Sequence, residues 1–439
     1  MENNLTFMGA HPNWANACVG SNGNPQTIEY AEGFANAANL LIDRVILDRG
    51  IKLHVDVFIY PICFNMRHSV ELFLKAAIDQ LETLCKYRTP LPFFDGAGSH
   101  DLTKLWAFVK LHSVSMDRRY FELIEALDPY ITDIASIDSN GQVFRYPYST
   151  ENDKHLTELA VINVIVLRAR FSKLQLLLQS LSRLGDELLS EYSWGTFTSK
   201  LSREELLEIA LRLPARQDWA TENFALARKS AMQEWNLSSN DFARAARLIQ
   251  GNYEMSQLIS EEMPLQHVKD QLIFDFFDFW VKLHDLEKIK NPPPPKIAEF
   301  DRENLFGDMQ KDRRICDECW ERLAVYLTAE SLGELDALYY FARELRYSET
   351  FAQLRMLTGQ EMARDQDITR PDSKRRLWHL LNKPNALQNI LDSLNFLGQH
   401  SLIKQMVGRY ELQEFLHPLL ANSIPRTWLQ RRKPFFPLG

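Results

Sequence analysis

The stretch Tyr60–Leu81, YPICFNMRHSVELFLKAAIDQL, constrains the fold of this chain more than any other part of the sequence. Its apolar side chains fall on almost every side of a helix, which is typical of a helix at the centre of a bundle. Arg67, Glu71 and Lys75 recur at a spacing of i, i+4 and i+8 and therefore line one face of that helix. The stretch predicts a central helix that carries one polar stripe.

Two interpretations of this stripe remain open. Arg, Glu and Lys at this spacing can form ion pairs on a solvent-exposed helix face, each worth roughly 0.2–0.5 kcal/mol. Alternatively, the stripe faces a cleft or a dimer interface, where a partly buried charge is costly and indicates a functional role. The spacing of the residues does not distinguish these two interpretations.

The amino-acid composition of the rest of the chain also favours helices. Only 17 of the 439 residues are glycine, and good helix formers are plentiful. The length favours two or three domains. We therefore predict an all-α protein of several helical bundles, divided into an irregular N-terminus (1–26), an N-terminal bundle (27–190), a middle helical region (200–290), a polyproline linker (291–296), a C-terminal helical domain (297–424) and a basic tail (425–439).

Five helices are predicted for the N-terminal bundle from apolar periodicity and capping residues. A short strand or loop insertion, with the turn signal Asn140-Gly141 and the extended run Val143–Tyr146, is predicted between the fourth and the fifth. Four of the predicted helices span about 27–47, 55–87, 117–134 and 154–184. The third is predicted to start at His100-Asp101-Leu102, with Ser99 or Asp101 as its N-cap.

Charge and cysteine content indicate the compartment. A net charge of -8 argues against a protein coated with nucleic acid over its whole surface. The first basic residue is Arg44, so a basic N-terminal targeting sequence is not expected. The apolar run Val161–Leu167 is too short to cross a membrane. We expect a cytoplasmic protein in a reducing compartment, with no membrane partner.

No cofactor and no metal ion is expected from the motifs. Cys316 and Cys319 have the spacing of half a zinc site, but a structural zinc ion needs four ligands and no second pair occurs. The glycine-rich phosphate loops and the common hydrolase motifs are also not found in the sequence.

Three motifs together resemble those of a group of bacterial helical proteins that is related to the HEPN superfamily. They are RHSVELFLKAAI from Arg67, SHDLTKLW from Ser99 and FRYP from Phe144, and the resemblance covers about residues 27–190. Many HEPN domains are ribonucleases that work as dimers, and many act as toxins or in phage defence. The resemblance implies a HEPN-like N-terminal bundle with RNA as the substrate.

In active members of that superfamily, an Arg and a His that follows it act on the RNA backbone. The Arg stabilises developing phosphate charge and the His moves a proton. The resemblance implies a catalytic pocket in this chain that is formed by Arg67, His68, Glu71, His100 and Arg145.

The spacing of Arg and His departs from the superfamily pattern at the second helix. No His occurs in the expected window after Arg67, whereas Arg49 and His54 have the spacing but lie in the predicted first connection. His100 can equally mark a helix start, and Arg145 can bridge a loop to the bundle.

Basic residues beside aromatic ones can hold single-stranded nucleic acid through phosphate contacts and stacking. The alternatives are a solvated basic face and a tail that docks on its own domain or on a partner. The predicted RNA-binding residues are Lys75, Lys374, Arg375, Arg376, Arg431 and Arg432.

These observations predict an RNA-directed effector of a bacterial defence or stress system, either a metal-independent ribonuclease or an RNA-binding component. Its expected partners are RNA, a second copy of the chain and a partner protein of the same system. The alternative is a noncatalytic interaction or sensor protein that uses the HEPN-like bundle for dimerisation or for binding a small ligand.

Overall fold

A computed structural model describes residues 4–290, 302–364 and 371–412. These residues form α-helices and short 3-10 turns joined by loops, and they contain no β-strand. The all-α prediction is therefore confirmed for the described part of the chain. The predicted linker 291–296 and the predicted tail 425–439, with Arg431 and Arg432, lie outside the described residues.

The described residues divide into two compact units, 4–195 and 196–412. The first unit corresponds to the predicted N-terminal bundle. Its helices are α1 (Thr27–Asp48), α2 (Val55–Leu84), α3 (Leu102–Met116), α4 (Tyr120–Ile137) and α5 (Val164–Ser193).

Helix α2 is the central helix of the first unit, as its sequence predicts. It packs against α1, α3 and α5. Helix α1 turns small side chains towards it, since Ala31, Ala35 and Ala38 are fully buried at helical spacing. Small side chains let two helix backbones approach closely, so α1 and α2 form a tight pair along much of their length.

Capping residues fix where these helices begin. The side chain of Asp101 accepts hydrogen bonds from the backbone N–H groups of Thr103 and Lys104, at 2.9 and 3.4 Å, and thereby starts α3.

Pro61 lies inside α2 and does not end it. The proline stands in the second turn of this helix, so the lost N–H affects its N-terminal end alone.

The predicted start of the fifth helix, near residue 154, is wrong. Helix α5 begins at Val164 because the side chain of Asn163 accepts from the N–H groups of Ile165 and Val166, at 2.9 and 3.1 Å. Leu159 and Ile162, which fall inside the predicted helix 154–184, lie in the connection that precedes α5.

The predicted extended run Val143–Tyr146 is also wrong. The N–H groups of Arg145 and Tyr146 both donate to the carbonyl of Gln142, at 3.1 and 3.0 Å, which makes this segment a turn. Strand pairing in the described residues is limited to one isolated bridge, between Tyr148 and Lys154.

The second unit contains two apolar cores. The smaller core draws on residues 201–259, whereas the larger core combines residues 253–280 with residues 315–412. The structure thus groups the predicted middle region and the C-terminal domain in one unit. Its helices are α6 (Arg203–Arg212), α7 (Glu222–Glu234), α8 (Ser239–Gln250), α9 (Tyr253–Leu258), α10 (Asp270–Leu283), α11 (Leu286–Lys290), α12 (Arg302–Leu323), α13 (Ala329–Phe341), α14 (Ser348–Arg364), α15 (Pro371–Leu381), α16 (Ala386–Phe396) and α17 (His400–Tyr410).

Buried carboxylates hold parts of this unit together. Glu334 on α13 is fully buried and accepts hydrogen bonds from the backbone N–H groups of His267 and Val268, which fixes the loop before α10.

Among the described helices, none is both long enough and apolar enough to cross a bilayer.

Candidate functional site

The carboxylate of Glu71 is the centre of the polar stripe on α2. Its side chain is buried, with a residue exposure of 1%. One oxygen, Oε1, lies 2.8 Å from Nδ1 of His100 and 3.0 Å from Nζ of Lys75. The other oxygen accepts a hydrogen bond from Nη1 of Arg67. His68 stands 3.8 Å away through Nδ1, beyond hydrogen-bond range. Four predicted site residues therefore surround one carboxylate.

Arg67 is buried and its guanidinium is used within the protein. The residue is 3% exposed. Besides Glu71, its Nη2 donates to the carbonyls of His100 and Ser139, the latter at 2.9 Å, and its Nε donates to the carbonyl of Asp138 at 3.3 Å. Arg67 thus ties α2 to the start of α3 and to the end of α4. It could contact RNA only by giving up these bonds.

Gly141 packs directly on that guanidinium. Its φ of +79° lies in the left-handed region that favours glycine. A Cβ atom at this position would stand 3.0 Å from Nη1 and 3.1 Å from Cζ of Arg67. The turn after α4 therefore needs glycine both for its backbone conformation and for the space that Arg67 fills. The Asn140-Gly141 turn signal was visible in the sequence, but its contact with Arg67 was not.

The environment of Glu71 keeps its carboxylate ionised. Burial would raise the pKa of this group, but the imidazoles of His68 and His100, followed by Lys75 and Arg67, more than offset that effect. The pKa of Glu71 therefore lies well below its ordinary value of 4.5. The stripe is not a solvent-exposed ladder of ion pairs, because its central carboxylate is almost completely buried. Its predicted place at a cleft or a dimer interface stays a prediction.

His100 combines this buried partner with an exposed ring. An ionised carboxylate only accepts hydrogen bonds, so Nδ1 of His100 carries the proton in their contact. The side chain of His100 is 67% exposed, which leaves the remainder of the ring accessible. In neutral imidazole the second nitrogen, Nε2, is then the acceptor. An imidazole oriented in this way can take a proton from a bound molecule.

Arg145 reaches the cluster through aromatic rings. Its guanidinium carbon lies 5.7 Å from the ring centre of Phe64 and 5.2 Å from that of Tyr146. The Phe64 ring in turn stacks on His68 at 5.7 Å, and Phe34 meets His68 edge-on at 4.5 Å. Arg145 is exposed. Sequence reasoning missed Phe34 and Phe64, although the i, i+4 spacing of Phe64 and His68 was a signal.

Lys75 is largely covered. Its side chain is 13% exposed, and its Nζ donates to the carbonyl of Ala97 at 2.9 Å as well as pairing with Glu71. This ammonium group fastens the loop between α2 and α3. Its predicted contact with RNA stays a prediction.

The basic cluster on α15 is paired with acids. Arg376 makes two hydrogen bonds with the carboxylate of Asp336, which is 1% exposed, and so fastens α15 to α13. The predicted RNA contacts of these residues would compete with ion pairs in the second unit. The pairs are Lys374–Asp317 at 2.8 Å, Arg375–Asp372 at 3.2 Å and Arg376–Asp336 at 2.7 Å.

The two cysteines of α12 are buried thiols. Burial raises the pKa of Cys316 to about 11 and raises that of Cys319 further. In the part of the chain that the structure describes, no group of His, Cys, Asp and Glu side chains is arranged to hold a metal ion.

Comparison with known proteins identifies no relative of the chain, so the functional argument rests on the chemistry of Glu71 and its neighbours. The resemblance to the HEPN superfamily rests on the three sequence motifs and stays a prediction. No family model, no curated protein and no solved structure matches the chain.

Proposed function

We propose that the first unit is a metal-independent ribonuclease and that the chain is an RNA-directed effector of a bacterial defence or stress system. The observation that supports this proposal is the 2.8 Å contact between Nδ1 of His100 and the buried carboxylate of Glu71. The contact presents an oriented and exposed imidazole, which is the group that metal-independent RNA cleavage requires. The biological setting rests on the HEPN resemblance alone.

In the proposed reaction, Nε2 of His100 takes the proton of an RNA 2′-hydroxyl. The 2′-oxygen then forms a bond to the adjacent phosphorus, and the bond from phosphorus to the 5′-oxygen breaks. In this scheme His68, whose Nδ1 stands 3.8 Å from the other carboxylate oxygen of Glu71, acts in its protonated form and gives a proton to the departing 5′-oxygen. The products are a 2′,3′-cyclic phosphate and a 5′-hydroxyl, so one proton is taken and one is returned. Ionised Glu71 stabilises the imidazolium that forms at His100.

Two arginines have different tasks in this scheme. Arg145 is exposed beside Phe64 and Tyr146, where a guanidinium and aromatic faces can hold a phosphate and a base. Arg67 is a positioning residue, because it holds Glu71 and the backbone of His100 and is itself buried.

A noncatalytic interaction or sensor protein is the second candidate. The structural use of Arg67 favours it, since the arginine expected to face the phosphate is bound to backbone carbonyls instead. The ion pairs of Lys374 and Arg376 favour it as well.

The decisive experiment is cleavage of a single-stranded RNA by the purified chain in EDTA. Wild type is compared with His100→Gln and with His400→Gln, which alters an exposed histidine of the second unit. We expect cleavage by wild type and His400→Gln, and a loss of at least about 100-fold in His100→Gln. An RNA with 2′-deoxy sugars should resist cleavage, since it lacks the attacking oxygen.

Two results would overturn the proposal. Equal cleavage by His100→Gln and wild type would remove His100 from the reaction, and loss in His54→Gln instead would move the site to Arg49 and His54. Absence of cleavage by wild type, together with a dimer in light scattering, would favour the noncatalytic protein.

A further inference from the structure

A cavity of about 440 Å³ lies in the first unit, between α2, α4, α5 and the connection that precedes α5. Leu159 and Ile162, the residues that the sequence wrongly assigned to a helix, form part of its wall. Cys63, Met66 and Phe171 contribute buried apolar surface on the inner side. A volume of this size is in the range of roughly 300–1,000 Å³ that holds small organic ligands.

The charged groups that line the cavity already have partners. Arg170 pairs with Asp133 at 2.5 Å and lies 4.5 Å from the ring centre of Tyr130. Arg67 also lines the cavity, but its guanidinium is held by Glu71 and backbone carbonyls. The described lining therefore offers no unpaired charge to attract an ionised ligand, and an uncharged ligand suits it better.

Two groups can hydrogen-bond a neutral ligand. Asn163 lines the cavity and uses Oδ1 to cap α5, so the N–H groups of its amide are not part of that cap. The hydroxyl of Tyr130, also in the lining, can donate or accept. A few polar groups in an otherwise apolar wall are typical of sites that orient a small molecule.

We propose that this cavity is a binding site for a small, uncharged, mainly apolar compound that carries an oxygen or nitrogen acceptor. The apolar body occupies the space between α2, α4 and α5, and the acceptor meets Asn163 or Tyr130. Val161, which is 81% exposed at the rim, loses contact with water when the site is occupied.

The cavity and the Glu71 cluster share Arg67 as a common wall. An occupant contacts one side of this residue, while its guanidinium holds Glu71 and the carbonyl of His100. Binding therefore stabilises the part of the bundle that supports His100, and it raises the melting temperature of the chain. This inference stands apart from the proposed ribonuclease activity, because binding is measured without RNA.

The test uses N-phenyl-1-naphthylamine, an uncharged two-ring fluorophore that brightens in apolar surroundings, with the full chain. We expect saturable binding to wild type. Leu167→Trp, which fills the cavity from α5, should weaken binding at least about tenfold. Leu176→Trp is the matched control, since Leu176 is an exposed residue of the same helix outside the cavity lining, and it should bind as wild type does.

Circular dichroism establishes that the variants are folded, and Ile162→Trp in the connection replaces Leu167→Trp if the latter does not fold. Fluorescence that rises without saturation, or equal binding by the cavity-filling variant and wild type, would overturn the proposal. The anionic analogue 1-anilinonaphthalene-8-sulfonate should bind more weakly than the neutral probe. Tighter binding of the anion would contradict the assignment of an uncharged ligand.

Discussion

The Nδ1 atom of His100 lies 2.8 Å from the Oε1 atom of Glu71, so an imidazole just before α3 rests on a carboxylate buried in α2. The same His100 is held a second time, because its backbone carbonyl accepts a hydrogen bond from Arg67. Its ring is therefore positioned by the central helix of the bundle and not by the loop alone. A side chain supported in this way keeps its geometry when the loop moves.

Stability should depend on pH through Glu71. The folded pKa of this group is depressed, so between that value and the ordinary value of 4.5 the unfolded chain binds more protons than the folded chain. The stabilisation is therefore complete above the ordinary value and is lost as the pH falls below it. Urea unfolding from about pH 7 to about pH 3.5 should show a smaller acid loss in Glu71→Gln than in wild type.

The matched variant for this measurement is Glu82→Gln, an exposed glutamate of the same helix. Wild type, Glu71→Gln and Glu82→Gln share all their other carboxylates. The difference between their unfolding free energies at each pH therefore reports on the one carboxylate that was changed. Parallel pH curves for wild type and Glu71→Gln would contradict the role assigned to Glu71.

Arg67→Ala should destabilise the first unit strongly. The change leaves the buried carboxylate of Glu71 and the carbonyls of Asp138 and Ser139 without their guanidinium partner, and removal of one member of a buried ion pair costs about 3–5 kcal/mol. Arg168→Ala is the control, since Arg168 pairs with Asp43 on the surface and its loss should change the unfolding free energy little.

Denaturant unfolding gives the free energy of unfolding of Arg67→Ala and of Arg168→Ala. Similar unfolding free energies for Arg67→Ala and Arg168→Ala would show that the buried contacts of Arg67 are not needed for folding.

Arg145→Ala should weaken RNA binding and leave folding intact, because the side chain is exposed. Loss of one charged phosphate contact should raise KM roughly tenfold with a small change in kcat. Arg44→Ala, which removes an exposed arginine of α1, should leave KM unchanged. A fall in kcat at constant KM would instead assign Arg145 to the stabilisation of the transition state.

Arg376→Ala should act on stability in the second unit. It leaves the buried carboxylate of Asp336 without its two hydrogen bonds, at a cost on the order of 2 kcal/mol. Arg375→Ala is the neighbouring control, because Arg375 is mostly exposed and pairs with exposed Asp372. If Arg376→Ala weakened RNA binding and left the melting temperature unchanged, the predicted RNA contact would be favoured over the structural one.

The helices could be predicted from local signals where such signals exist. The start of α1 follows from periodicity. For α3 the sequence offers Ser99 or Asp101 as the N-cap, and the structure shows that Asp101 caps the helix. The start of α5 could not be placed, because Leu159 and Ile162 continue the apolar spacing of the helix but lie half-buried in the preceding connection, where they line a cavity. Apolar periodicity does not separate a helix face from a loop that covers a core.

The candidate site was predictable to the same limited degree. The i, i+4 relationship of Arg67 and Glu71 is local, and the sequence contains it. The approach of His100 depends on how α3 packs on α2. The bonds from Arg67 to the carbonyls of Asp138 and Ser139 use acceptors that every residue possesses, so they leave no trace in the sequence.

The contact between Gly141 and Arg67 links two positions that lie far apart in the chain. A larger residue at 141 would displace the guanidinium, whereas a shorter residue at 67 would remove only the steric reason for the glycine and leave its positive φ. Relatives of this chain that keep Arg67 should therefore keep Glu71 and Gly141 as well. Such a correlated triplet would serve as a signature for recognising distant relatives whose surfaces have diverged beyond ordinary similarity.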